Sequence, residues 1–209
     1  MLAIVDYGAG NLASVARSLA HLGIPACVTA DPSELEASEG IIFPGVGQAA
    51  QAMASLRAGG LDRALAALAA AKKPLLGICL GCQILLEHSE ENDTRLLGLV
   101  RGDCVRFADS LLEEDGSRIA IPHMGWNSLA IRRQSPLLAN IASDDEFYFV
   151  HSYYVRPDPE LVIATTAYGA QFCSVYGYDG FWATQFHPEK SGEAGLLILR
   201  NFYNYCRAL

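Results

Sequence analysis

The sequence predicts an α/β protein whose first half builds a mostly parallel central sheet and whose second half adds an antiparallel β section. Short apolar runs without polar alternation alternate with helical patterns through the first half, which is how strands of a parallel sheet covered on both faces read. From about Leu96 the helical periodicity gives way to short runs rich in Val, Phe, Tyr and Trp, and it returns only at the end of the chain. With 209 residues, 51% hydrophobic and 18% charged, the chain is long enough to bury one large core, and residues 1–209 are expected to form a single domain.

The elements follow in order. Residues 2–5 form a first strand, closed by Asp6. Leu12, Val15, Leu19 and Leu22 then share one helical face, with Asn11 placed as N-cap and Gly23 as the residue beyond the C-cap. Residues 26–29 and 40–43 are the second and third strands, the latter halted by Pro44. Two Ala-rich helices, residues 49–57 and 61–71, are divided by Gly59 and Gly60. Residues 74–78 are the fourth strand, and a helix follows around Gln83 to Leu86. In the second half, residues 104–107, 119–121, 147–150, 162–166, 172–176 and 181–185 read as antiparallel strands joined by turns such as Asp179-Gly180. A helix over residues 192–206 closes the chain, with Leu196, Leu199, Tyr203 and Cys206 on one stripe.

The net charge of -8 and the absence of any Lys/Arg block argue against nucleic acid as a partner. No apolar run reaches membrane-spanning length, and the N-terminal MLAIVDYGAG lacks a basic region and breaks too early for a secretory signal. The six cysteines are scattered rather than arrayed as a disulfide scaffold, so a reduced cytoplasmic protein without membrane contact is expected.

The chemistry concentrates in Pro74 to Glu87, PLLGICLGCQILLE. Cys79 and Cys82 form a CxxC, which admits a redox pair or half a zinc site; GICLG, residues 77–81, is equally the cysteine form of a nucleophile elbow. Zinc needs two more ligands at similar spacing, and the other cysteines and His123, His151 and His187 stand apart in sequence, so no metal is expected. In an elbow, Gly77 and Gly81 let strand and helix approach closely, Cys79 is the nucleophile, and Gln83 sits one turn on where its amide reaches a molecule held at the sulfur. Cys82 is then a packing residue, with the liability that oxidation joins it to Cys79.

A nucleophilic thiol needs a base, a group that orients the base, and donors for the oxyanion. Gln185-Phe186-His187-Pro188-Glu189-Lys190-Ser191 follows a strand and offers His187 as base with Glu189 to hold it, Pro188 fixing the turn between them. Phe43-Pro44-Gly45-Val46-Gly47 ends another strand, and backbone N–H groups there, with that of Leu80, are candidate oxyanion donors.

PGVG at 44–47, GICLG at 77–81 and FHPEKS at 186–191, in that order and spacing, resemble the class I (triad) glutamine amidotransferases. The resemblance implies a flavodoxin-like three-layer fold, no cofactor, and a Cys79-His187-Glu189 triad that releases ammonia from L-glutamine through a γ-glutamyl thioester. It places Val46 and Leu80 at the oxyanion, Gly47, Gln83 and Glu91 on the substrate, and His151, Ser152 and Tyr153 on a second substrate-binding strand. Asp6 to Val15, DYGAGNLASV, and Pro122 to Asn127, PHMGWN, resemble the glutaminase subunits of imidazole glycerol phosphate synthase within that family. The partner that this branch implies is a (β/α)8-barrel cyclase subunit, with Asn11, Trp126, Tyr148 and Lys190 at or near the interface. The rival readings are another glutaminase of the same class, a non-catalytic module of the same fold, and a CxxC redox protein.

Overall fold

The computed structural model describes residues 1–112 and 116–209. The first half alternates β1 (Leu2–Val5), α1 (Leu12–His21), β2 (Ala26–Thr29), α2 (Pro32–Ala37), β3 (Gly40–Gly45), α3 (Ala49–Ala58), α4 (Leu61–Ala70), β4 (Leu75–Cys79) and α5 (Leu80–Ile84). The second half supplies β5 (His88–Ser89), β6 (Thr94–Arg95), β7 (Gly102–Arg106), β8 (His123–Ser128), β9 (Ala130–Ile131), β10 (Glu146–His151), β11 (Tyr153–Pro157), β12 (Val162–Tyr168), β13 (Ala170–Tyr178) and β14 (Phe181–Thr184). It closes with α6 (Gly192–Ala208). The main sheet runs β2-β1-β3-β4-β14-β13-β11-β7-β5-β6, and β8 and β10 pair apart from it. Among the described residues no helix is long and apolar enough to cross a membrane.

Successive residues of the parallel strands feed opposite layers. Ala3, Val5, Ile41, Phe43 and Leu75 pack under α3, α4 and α5, while Leu2, Ile4, Ile42, Leu76 and Ile78 join Val15, Leu19, Ile198, Leu199 and Phe202 of α1 and α6. Both faces of the sheet are therefore apolar, which is why these strands show no polar alternation.

Beyond the strands β5, β6, β9 and β11, which were not expected, the structure departs from the expected elements in four places. Asp31 caps α2, its carboxylate accepting from Ser33 N at 2.8 Å, but the helix buries only Leu35 and leaves no periodicity to read. Residues 119–121 form no strand; Pro122 follows them without an N–H to give a ladder, and pairing starts instead at His123, in register with His151. Asn11 precedes α1 but makes no cap hydrogen bond. Finally, β14 is antiparallel to β13 through the Asp179-Gly180 turn but parallel to β4, with Thr184 opposite Ile78. That parallel pairing brings the segment after Thr184 to the sheet edge where β4 ends.

Candidate active site

Cys79 ends β4 at φ 53° and ψ −112°, an unfavourable conformation for a residue with a side chain. Two glycines allow it. A Cβ on Gly81 would lie 1.8 Å from the Phe43 carbonyl oxygen, and one on Gly77 would lie 2.8 Å from Leu85 Cδ1, so strand and helix can close around the turn only as they are. The two cysteines part company here, since Cys79 belongs to the core layer of α1 and α6 and Cys82 to that of α3 and α5. Cys82 is fully buried, its Sγ donates to Gln185 Oε1 at 3.8 Å, and burial, with the neighbouring cysteines, pushes its thiol pKa well up. All six cysteines are free thiols.

His187 and Glu189 arrive from β14. Their side chains are fully buried and joined by His187 Nδ1 and Glu189 Oε1 at 2.7 Å. His187 N donates to the Tyr148 carbonyl at 3.0 Å, Ser191 Oγ donates to the His187 carbonyl at 2.6 Å, and Tyr148 N donates to Ser191 Oγ at 2.9 Å, so β10 clamps the turn. The carboxylate partner assigns the proton to Nδ1 and leaves Nε2 for the cysteine. Burial pulls the imidazole pKa down, but the charge of Cys79, its hydrogen-bonding reach to the ring, and Glu189 outweigh it and raise the pKa to about 10. The Cys79–His187 contact acts mainly through charge, because Nε2 makes no well-directed hydrogen bond among the described residues. Such contacts commonly tighten only when substrate is bound.

Asn11 adds a fourth group that the motifs did not announce. Its Nδ2 donates to Glu189 Oε1 at 2.5 Å and lies 3.3 Å from His187 Nδ1. The side chain expected to cap a helix holds the carboxylate instead.

These groups open onto a cavity of about 340 Å³ lined by Val46, Gly47, Cys79, Leu80, Gln83, Glu91, His151, Ser152, Tyr153 and His187, among others. Every residue expected at the substrate or the oxyanion therefore faces one space. Gly45 pairs with Cys79 across β3 and β4, which sets Val46 beside the start of α5; Gly47 follows at φ 104°. Gln83 Nε2 is committed to the Tyr153 carbonyl at 2.9 Å and Gln185 Oε1 at 3.2 Å, so Gln83 has its Oε1, not its amide hydrogens, to offer a ligand. One oxygen of Glu91 accepts from Ala49 N at 2.7 Å, tying the carboxylate to the start of α3 at the cavity wall. His151 Nδ1 donates to the Tyr153 carbonyl at 2.8 Å, and its Nε2 lies 3.2 Å from His123 Nδ1. His123 and His151, separate in sequence, thus form a buried pair. Among the described residues no group of three His, Cys, Asp or Glu side chains is arranged to hold a metal ion.

Sequence reading missed Gln185, Ser191 and the His123–His151 pair as supports of the site. Ser191 lay within the FHPEKS motif; the others are made by contacts distant along the chain. Of the residues expected at an interface, Trp126 stands half exposed on β8 opposite Tyr148 of β10, their rings 5.9 Å apart, and Lys190 is exposed beside Glu189.

A strained cysteine elbow beside a buried histidine–glutamate pair, on the edge of a mostly parallel sheet, defines a class: the chain belongs to the class-I glutamine amidotransferase family, whose model matches residues 3–206. Within that class it is 61% identical over 99% of its length to the imidazole glycerol phosphate synthase subunit HisH of Desulfovibrio desulfuricans, covering 95% of that protein. The like-named protein of Dehalococcoides mccartyi strain 195 is 46% identical, with 97% of this chain and 96% of that one covered. Among solved structures, a glutamine amidotransferase superposes with a TM-score of 0.75 at 18% identity, covering 98% of each chain. A chain of PurLQS from Thermotoga maritima superposes with a TM-score of 0.71 at 17% identity, covering 98% of this chain and 97% of that one. These two likenesses speak to the fold.

Proposed function

We propose that this chain is the glutaminase subunit of an imidazole glycerol phosphate synthase. It hydrolyses L-glutamine to glutamate and ammonia and passes the ammonia to a (β/α)8-barrel cyclase subunit, which forms imidazole glycerol phosphate and AICAR in histidine biosynthesis. The observation that carries the reading is Cys79 at its strained turn, with the buried His187–Glu189 pair delivered beside it by the parallel β14. The name shared by the similar proteins, a subunit of imidazole glycerol phosphate synthase, supports the reading.

In this reading the Cys79 thiol gives its proton to His187 Nε2 and Sγ forms a bond to the glutamine Cδ, the carbonyl oxygen taking the displaced electron pair while Val46 and Leu80 N–H groups donate to it. His187 gives its Nε2 proton to the amide nitrogen as the C–N bond breaks and ammonia departs. The neutral imidazole then removes a proton from water as that water adds to the thioester. Collapse of the second tetrahedral species releases glutamate and returns the thiolate. Glu189 holds Nδ1 and stabilises the imidazolium throughout. Glu91, at the cavity wall, offers a carboxylate for the substrate's α-ammonium group.

The test is a coupled assay with the barrel subunit. Cys79→Ala should abolish glutamine-dependent synthesis and leave ammonia-dependent synthesis at the wild-type rate. Retention of the glutamine-dependent reaction would remove Cys79 from the mechanism.

A further inference from the structure

Tyr7 has no task in the mechanism above. Its ring packs against Phe43, centroids 5.4 Å apart, and its hydroxyl is buried without a hydrogen-bond partner among the described residues. Burial first, and the nearby Cys79 second, push its pKa far above the ordinary tyrosine value. An unpaired buried hydroxyl is destabilising, and phenylalanine would fill the same space without that cost. A hydroxyl held in this way calls for a partner acquired in another state of the site.

Its surroundings name the partner. A Cβ on Gly45 would meet the Tyr7 hydroxyl oxygen at 2.2 Å, so the hydroxyl rests directly on the Gly45 backbone. Val46 lines the reaction cavity and also a second cavity of about 210 Å³, bounded by Tyr7, Gly8, Gly10 and Gln51. The peptide between Gly45 and Val46 is thus part of the partition between the two spaces. In a trans peptide the N–H and the preceding C=O point in opposite directions. When Val46 N–H faces an oxyanion on the Cys79 side, the Gly45 carbonyl faces the second cavity. There Tyr7 is the buried donor; Gln48 and Gln51, the other amides nearby, are exposed to solvent.

We propose that Tyr7 is a positioning residue for the oxyanion donor: its hydroxyl donates to the Gly45 carbonyl when the 45–46 peptide presents Val46 N–H to the reaction centre. This rests on the glutaminase reading and adds the group that holds its oxyanion donor in place. No bond to substrate is involved, so the hydroxyl affects turnover and transition-state affinity and leaves ground-state binding alone.

The experiment is Tyr7→Phe in the assembled complex with the barrel subunit. The expected result is a fall of roughly 10-fold in kcat for glutamine, the size of one lost hydrogen bond, with KM within about twofold of wild type. Glutamate γ-semialdehyde, an aldehyde probe that forms a tetrahedral adduct on Cys79, should bind the variant about 10-fold more weakly. Affinity for glutamine in a Cys79→Ala background should be unchanged, and the melting temperature unchanged or raised. A wild-type kcat and aldehyde affinity in Tyr7→Phe would overturn the proposal, as would a lowered melting temperature that accounts for the loss. Failure of the wild-type complex to use glutamine would instead overturn the glutaminase reading, and the wild-type control separates the two.

Discussion

At Asn11 the backbone takes φ 79° and ψ −2°, the left-handed region that asparagine tolerates better than most residues, and the side chain ignores the helix it precedes in favour of Glu189. Its amide and the His187 Nδ1–H are both directed at the same oxygen, Glu189 Oε1. A hydrogen bond to a charged group is worth about 1.5–3 kcal/mol, so Asn11→Ala should lower kcat about 10- to 100-fold at nearly constant KM for glutamine. Asn11→Asp should be worse than Asn11→Ala, because a carboxylate there repels Glu189 where alanine only vacates the space; steady-state kinetics of the two variants decide it. Cys79, His187 and Glu189 were legible because each sits in a local motif whose glycines or proline betray the turn. The hold of Asn11 on the carboxylate was not, since its partner lies 178 residues away and an asparagine before a helix reads first as a cap.

Between β8 and β10 the pairing of His123 with His151 places two neutral imidazoles at the heart of an aromatic cluster. His123 stacks on Phe149 and Tyr168 at 4.9 and 3.9 Å between centroids. Burial lowers its pKa to about 4. Burial likewise takes His151 to about 3, the Tyr153 carbonyl opposing the fall while His123 and His187 add to it. The unfolded chain protonates both below about pH 6.5, and the folded chain does not until far lower. Their contribution to stability is therefore complete above about pH 6.5 and is lost as pH falls toward 4 and then 3. The melting temperature should drop across that window, and His123→Phe, which takes up no proton, should flatten the drop without abolishing it because His151 still titrates. The strand itself was not readable. Along β8 only His123 is buried, so no apolar alternation marks it, and the apolar residues 119–121 just before it drew the assignment instead. For β14 the length was legible but its parallel neighbour was not, because pairing with β4 is decided by the whole sheet.

Across the whole molecule, the ends of β1, β3, β4 and β14 gather the loops that carry Tyr7, Asn11, Val46, Cys79, His187 and Glu189 along one edge of the sheet. Met124 and Trp126, 63% and 52% exposed, stand on β8, with Tyr148 on β10 beside them and Lys190 next to the triad. A large exposed aromatic is a strong anchor for a partner. On the reading proposed above, Trp126→Ala should weaken binding of the barrel subunit by about 10-fold or more, measured by calorimetry, and leave the melting temperature of the chain nearly unchanged. The mostly parallel order of the first half was readable from composition along the chain; the way the second half inserts β14 into it was not.

That insertion carries a consequence for biosynthesis of the protein itself. Because the nucleophile leaves the ribosome with β4 and the histidine only after β14, the thiol spends about half the chain's synthesis without a base. The last strand to enter the sheet is what arms it. On the proposed mechanism, a chain that lacks β14 and the segment after it carries an unactivated cysteine, and ammonia release begins only once the polypeptide has closed on itself.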